Sequence, residues 1–444
     1  MIVTIAGILL TIILILCFFN IRWGTALYLC YSFLVPLSDI TLGPINLGQN
    51  FVKMVLILSL LYDFKIRHHY KLSWKLMIPF ILYYAIELAI IPFQSETPSS
   101  WMYNTWRVSI MSTLFGAFVI YNVLSKYPDS LKLIRYAILV SILIAGVYGL
   151  FLTTTNGFNP YINLIVLSKG TALEAESLMG YFSAEGGRLF GRISSVFMHP
   201  MNFGLFIGLA FFYVFSIRKN IRKWVMILLM SILTLDALFC GVRSCIGGLV
   251  VAVAFYLLMS RNIKVGVLTL VLGLIVYNIV LKMPGLSDYL SSITDINNTQ
   301  GNVSGSSVEM RLDQLNGCLV EIRNNPILGK GYGWDGWYKS NFGDHPVILS
   351  FESLIFVILC DNGFLGFVIW GILIYMVVRN NKKFHLIDTA IANSLLVFYI
   401  AYSCITGEYG YMQYFLIFYI CLVFENIGTK TSKRLKNVSK ISKL

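Results

Sequence analysis

Three arginines stand in settings unlike those of the other basic residues: Arg192 in Gly191-Arg192-Ile193-Ser194-Ser195, Arg243 in Gly241-Val242-Arg243-Ser244, and Arg311 at the head of a segment with helical apolar spacing. A guanidinium is a planar fork that donates paired hydrogen bonds and keeps its charge, so it suits a phosphate or pyrophosphate. Several converging on one face would hold an anionic ligand. A single arginine at a membrane edge can equally snorkel to lipid headgroups, a reading that fits one of them more easily than all three.

Glu352, in Phe351-Glu352-Ser353, stands where an apolar run begins. A carboxylate at a membrane edge is costly to desolvate unless paired or protonated, so its presence argues for a role. Beside arginines such a group would stay ionised and could take a proton from a sugar hydroxyl, whereas an apolar pocket would raise its pKa. His345, earlier in the same loop, is a second candidate base or an ordinary loop histidine. Asp361 and Glu87 also lie in or near apolar runs, and the sequence names no partner for either. Acids of that kind also occur in proton-coupled transporters.

The elements that must position these residues follow from composition. Of 444 residues, 57% are hydrophobic and 12% charged, too apolar for a soluble chain of this length. Apolar runs able to cross roughly 30 Å of hydrocarbon recur along the chain. They fall near 3–19, 24–42, 50–63, 76–95, 107–125, 134–153, 198–216, 224–240, 243–260, 264–281, 349–378, 386–404 and 411–427. The pattern predicts an all-α polytopic transmembrane helical bundle of about 12–14 spans. The apolar N-terminus has no basic n-region and no small-residue cleavage site, so it reads as the first span and not as a removed signal peptide.

The formal charge of +13 does not point to nucleic acid, because most of the 34 Lys and Arg lie in short connectors and the tail. The clusters Lys65/Arg67/Lys71/Lys75, Lys126/Lys132/Arg135, Arg218/Lys219/Arg222/Lys223, Arg261/Lys264 and Arg379/Lys382/Lys383 all fall on one side when the spans alternate. That side is expected to be cytoplasmic. The expected organisation is transmembrane helices in 1–153, an outer loop 154–197, helices in 198–281, a large outer loop 282–348, helices in 349–427 and a basic cytoplasmic tail 428–444. The eight cysteines show no Cys-x-x-Cys spacing, so packing is expected of all of them, with no metal site and no disulfide framework.

Within the large loop, a Ser/Asn/Gly-rich stretch, Asp295 to Ser307, precedes an amphipathic helix in which Leu312, Leu315, Leu319 and Ile322 share a face. Asn325-Pro326 ends it. The face should lie on the outer membrane surface or pack on the bundle. Tyr332, Trp334, Trp337 and Tyr338 follow, suited to stacking on sugar rings or to interfacial anchoring.

Three segments together resemble the bacterial O-antigen polymerases (Wzy) and O-antigen ligases (WaaL). They are Arg192-Ile193-Ser194-Ser195-Val196-Phe197-Met198-His199-Pro200-Met201-Asn202, then Gly241-Val242-Arg243-Ser244, and then Met310-Arg311-Leu312 through Asn325-Pro326-Ile327-Leu328-Gly329-Lys330-Gly331-Tyr332-Gly333. The likeness covers about 190–370. Where ligases carry a His-Asn pair ahead of the acidic-x-Gly step, this chain has Glu352-Ser353, which is polymerase-like.

The resemblance implies a GT-C-like, inverting, metal-independent glycosyltransferase of the bacterial cytoplasmic (inner) membrane, with no cofactor. Undecaprenyl-pyrophosphate-linked oligosaccharide would be both donor and acceptor, surrounded by membrane lipids, with a chain-length regulator as a further candidate partner. Arg192, Arg243 and Arg311 would bind pyrophosphate, and Glu352 or His345 would remove the acceptor proton. A ligase, or a flippase for lipid-linked oligosaccharide, remains the alternative. No Walker pattern is present and no Rossmann glycine fingerprint follows a strand, and the implied chemistry needs no nucleotide-sugar site.

Overall fold

The computed structural model describes residues 2–35, 41–42, 45–46, 49–155, 158–168, 192–260, 308–384, 386, 388–407 and 411–441. The expected span 264–281 and the Asp295–Ser307 stretch lie outside the described residues, as do residues 169–191 of the 154–197 loop.

Apart from a two-residue antiparallel ladder, Thr41–Leu42 with Ile45–Asn46, the described secondary structure is helical. The first half contains α1 (Ile2–Phe19), α2 (Ile21–Leu34), α3 (Gln49–Leu61), α4 (Ile78–Ile90), α5 (Ser99–Ile110), α6 (Gly116–Lys126), α7 (Ser130–Leu152) and α8 (Pro160–Ser168). The second half contains α9 (Pro200–Ser216), α10 (Lys223–Phe239), α11 (Arg243–Ser260), α12 (Val308–Glu321), α13 (Trp334–Phe342), α14 (Leu354–Lys383), α15 (Thr389–Thr406) and α16 (Met412–Ile441).

Five helical stretches among the described residues are long and apolar enough to cross a membrane: Ser99–Lys126, Ser130–Thr155, Arg243–Ser260, Leu354–Lys383 and Thr389–Thr406. Shorter apolar helices stand beside them, among them Ile78–Phe93 and Pro200–Ser216. Large apolar side chains such as Phe19, Trp224, Leu258, Phe364 and Tyr375 are exposed on the outside of the bundle. Backbone groups are paired within helices, the arrangement a bilayer demands. The protein is an all-α polytopic membrane protein.

α16 is the central pillar. Every residue from Tyr411 to Val423 is buried, as expected of a helix that is apolar all round. Around it, Phe33 of α2 stacks on Phe418 with ring centroids 5.3 Å apart, and Phe206 of α9 meets both rings edge-on or tilted. Toward its C-terminal side Glu425, 2% exposed, takes two hydrogen bonds from Arg135 at 2.6 and 2.7 Å and one from Asn220 at 3.0 Å. Removing one member of a buried pair strands the other charge. Glu425→Ala is therefore expected to destabilise the protein by about 3–5 kcal/mol, read as a lowered Tm in detergent.

The helices depart from the sequence expectation at three places. The span expected over 24–42 is a helix only to Leu34, because the following Val35 precedes Pro36 and leaves the α region at φ −127°, ψ 57°. The 154–197 segment contains a helix of its own, α8. The span expected over 349–378 starts at Leu354, runs to Lys383 and is broken at Gly363, where φ is 57° and ψ −152°.

That break matters for the site. Ser353 caps the first half of α14, accepting from Ile355 N at 3.2 Å, and its hydroxyl donates to the Cys404 carbonyl at the end of α15, 2.6 Å away. The other end of the half-helix is held from the end of α4, where Gln94 Nε2 donates to Asp361 O at 3.0 Å and to Asn362 Oδ1 at 3.1 Å. The half-helix Leu354–Asn362 thus bridges the ends of two bundle helices. It also completes a second, smaller core with Cys318, Ile322, Trp334, Ile348 and Phe351.

Candidate functional site

Arg243 opens α11 directly after a tight elbow. α10 ends at Phe239, the amide of Cys240 bonds back to Asp236 O at 2.8 Å, and Gly241 turns the chain at φ 67°. A left-handed residue here favours glycine, so Gly241 permits α11 to start almost without a loop. The Arg192 segment is docked against the same elbow, with Ile193 N donating to Phe239 O at 3.4 Å. Asn159 holds that segment through Ser194 Oγ at 3.0 Å and the Ser195 carbonyl at 2.6 Å, while the Ser195 hydroxyl donates to Ala145 O on α7. Arg192 lies close enough to His199 for its charge to act on that imidazole. His199 itself caps α9, accepting from Met201 N at 3.2 Å.

α15 runs antiparallel to α9 and α11 and brings the second group to this end. Gly204 faces the Tyr402 hydroxyl and Cys245, while Gly208 and Gly248 both face Phe398, four residues earlier on α15. The C-terminus of α15 therefore lies by the start of α11. Tyr402 donates to Met201 O and Tyr411 to Asn202 Oδ1, tying α9 to both flanking helices. Because Ser353 is bonded to Cys404, Glu352 also lies at this end. Arg311 meets it there: one guanidinium nitrogen donates to the Glu352 carbonyl at 2.7 Å, and the other stands 3.5 Å from its carboxylate. Ser350 Oγ donates to the second carboxylate oxygen at 3.0 Å.

The candidate residues therefore fall into two groups at one end of the bundle, Arg192 with Arg243 and Arg311 with Glu352. His345 is placed differently. It is 5% exposed, surrounded by the rings of Trp334, Tyr338 and Phe351. Its Nε2 faces Glu321 at 3.4 Å.

α12 packs on the bundle with only part of its apolar face. Gln314, Cys318 and Ile322 are buried and Leu315 half-buried, whereas Leu312 and Leu319 are exposed. The buried stripe continues back to Arg311, which is how the arginine comes to face Glu352.

The glycine-rich stretch after Pro326 docks into the break in α14. Phe364 N and Leu365 N donate to the carbonyls of Pro326 and Ile327, while Lys330 N and Gly331 N donate to those of Cys360 and Asp361. The helix break exposes backbone groups and the strap pairs with them, as unsatisfied buried groups require. The two acids to which the sequence gives no partner are structural here. Asp361 accepts from Gly333 N at 2.8 Å and Asp335 N at 3.2 Å, holding the start of α13, and Glu87 accepts from Asn362 at 3.3 Å. Of the four aromatics, Trp334 is buried in the second core, while Trp337 and Tyr338 are half-buried.

Lys330 clamps the strap from both sides, 2.7 Å from Glu321 and 3.0 Å from Glu96. Burial alone would raise the Glu321 pKa, but Lys330 and His345 outweigh it and hold the carboxyl below its usual value. A carboxylate depressed in the fold stabilises it above the unfolded pKa of about 4.3 and loses that contribution as pH falls through the lower folded value. The acid limb of the thermal-stability profile should therefore flatten in Glu321→Gln, measured by Tm in detergent from neutral pH downward.

Sequence reading missed Gln94, Asn159, Tyr402 and Tyr411, whose partners lie far away in the chain. Gln94 and Tyr411 stand at the ends of the apolar runs 76–95 and 411–427, and that position was the only signal available.

The fold and the paired charges at one end define a polytopic membrane protein with a polar site at the helix ends. Residues 237–371 match the family model Wzy_C, described as O-antigen ligase. The match runs from the end of α10 through the break in α14, so it covers Arg243, Arg311, His345, Glu352 and the strap but not Arg192. The match supports a likeness of these residues to the O-antigen ligase/polymerase family, which acts on lipid-linked glycans. No curated protein matches the chain.

Proposed function

We propose that this protein is a polysaccharide polymerase that joins undecaprenyl-pyrophosphate-linked repeat units on the outer face of the bacterial cytoplasmic membrane. The observation that carries the reading is the Arg311–Glu352 pair, set at the same end of the bundle as Arg192 and Arg243. The loops 154–197 and 282–348 face outward in this reading, and the 428–444 tail faces the cytoplasm.

A hydroxyl of the acceptor unit attacks the anomeric carbon of the donor glycan from the face opposite the leaving group. The new C–O bond forms with inversion as the bond to pyrophosphate breaks, and the hydroxyl proton passes to Glu352. Arg192, Arg243 and Arg311 bind the pyrophosphate and stabilise the charge that grows on it as it departs. Preorganised guanidinium groups supply this without a metal ion. The bond energy comes from the pyrophosphate ester, and the product chain stays on the acceptor's lipid.

A ligase uses the same donor and differs in acceptor. Glu352-Ser353, at the position where ligases carry His-Asn, favours the polymerase. A flippase gains no support from Asp361 and Glu87, since both are engaged in holding the strap and half-helix.

The test is gel analysis of surface glycan and lipid-linked intermediates in a deletion strain complemented with the wild-type gene. A polymerase deletion leaves single repeat units where the wild type shows a ladder. Accumulation of long lipid-linked polymer would indicate a ligase, and an unchanged pattern would favour transport.

A further inference from the structure

We infer that His345 is a positioning residue, whose imidazole closes the turn that presents Glu352. The inference rests on the proposed role of Glu352 and assigns the second candidate base a different task.

Nδ1 of His345 accepts two backbone hydrogen bonds, from Val347 N at 3.2 Å and Ile348 N at 3.0 Å. An amide N–H is only a donor, so Nδ1 must offer its lone pair and cannot carry the proton. The neutral ring is then the tautomer protonated at Nε2, and that N–H points at Glu321 Oε1, 3.4 Å away. The lone pair is spent on the turn and the N–H on a carboxylate. A sugar hydroxyl approaching this ring meets no accepting atom, and the ring is closed off by Trp334, Tyr338 and Phe351.

What the ring holds is a strained piece of chain. His345 and Leu349 exchange backbone hydrogen bonds, N to O at 3.1 Å and 2.9 Å, closing the segment into a loop. Leu349 and Phe351 then adopt φ values of 59° and 56°, a region that side chains larger than glycine seldom occupy. Such residues persist only where their surroundings over-determine them. The surroundings here are the His345 turn on one side and the anchored Ser353 on the other. Between them, Glu352 is delivered to Arg311 with its backbone carbonyl and carboxylate both in reach. Glu321, at the other end of the imidazole, is itself fixed by Lys330.

The chemistry of the turn suggests its own test. Nδ1 of histidine and Oδ1 of asparagine stand at the same number of bonds from the backbone, and an asparagine oxygen accepts readily from amides two and three residues on. Asparagine has no basic function. His345→Asn should therefore restore most of the polymer ladder that His345→Ala loses, with the alanine variant at least tenfold below wild type. Glu352→Gln should be inactive in parallel.

In the purified protein labelled with 15N-histidine, the resonance that His345→Asn removes should show the Nε2-protonated tautomer. An asparagine variant as inactive as the alanine one, at wild-type membrane levels, would overturn the inference, as would an Nδ1-protonated ring or full activity in His345→Ala. Normal polymer from both Glu352→Gln and Arg311→Ala would instead sink the polymerase site itself. The tautomer measurement separates that outcome, because it reads the turn without reference to activity.

Discussion

Arg311→Ala is expected to abolish the polymer ladder while the protein reaches the membrane in normal amount, shown by immunoblot of membrane fractions beside the glycan gel. Loss of one preorganised donor to a developing anion costs about 100- to 1000-fold in rate. Arg311 also grips Glu352 at two points, the carbonyl at 2.7 Å and the carboxylate at 3.5 Å. In the proposed mechanism alanine removes a pyrophosphate ligand and frees the base from its position in one step, so the loss should be at the upper end of that range. Arg311→Lys should not rescue it. An ammonium is a point charge and cannot span a carbonyl and a carboxylate as a planar fork does. Arg192→Ala and Arg243→Ala should lose polymer too. Normal polymer from all three alanine variants would remove the arginine–pyrophosphate reading.

The residues of the candidate site are conspicuous in the sequence, but their arrangement is not. Arg192, Arg243 and Arg311 are conspicuous because charged side chains among glycine and serine at the ends of apolar runs call for a reason. That Arg311 meets Glu352 depends on which face of α12 packs inward, and helical spacing alone left open whether the apolar face packs on the bundle or lies on the membrane. Leu312, Leu315, Leu319 and Ile322 form a regular stripe, yet the buried stripe is Gln314, Cys318 and Ile322, continuing back to Arg311. The reason is a local partner, since Gly317 fits beneath Val347 and Ile348 on that side. Apolar periodicity counts side chains and does not see the groove that receives them. The break in α14 was hidden for a related reason. One glycine hardly alters the hydropathy of Leu354–Lys383, although its conformation breaks that stretch into two helices. Gln94 has its partners at Leu328, Asp361, Asn362 and Tyr332, more than 200 residues on, and nothing local encodes them.

The break is also where the largest structural effect is expected. Gly363 has φ 57° and ψ −152°, a combination that a side chain resists at a cost of about 1–3 kcal/mol. A Cβ there would also stand 2.7 Å from both the carbon and the oxygen of the Ile327 carbonyl, which is backbone and cannot swing aside. From the other strand of the contact, a Cβ on Gly329 would meet Gly363 N at 2.6 Å and Asn362 N at 2.8 Å. Gly363→Ala and Gly329→Ala should each expel the strap from the break. The strap carries Lys330 and leads into α13, so its loss would release Glu321 and the Asp361 contacts together. The half-helix that ends at Ser353 would then no longer hold Glu352 against Arg311. Both variants should lose polymer as completely as Arg311→Ala does, but with new protease cleavage within 322–363, which Arg311→Ala should not show. A Gly343→Ala control separates site from composition: it too has a positive φ, 81°, but no atom lies within 4 Å of the added Cβ. It should bear only the backbone strain and keep its polymer. If Gly363→Ala behaved like this control, the strap would be an ornament of the loop; if it behaves like Arg311→Ala with a cleaved strap, the geometry of the site depends on two glycines closing a helix break.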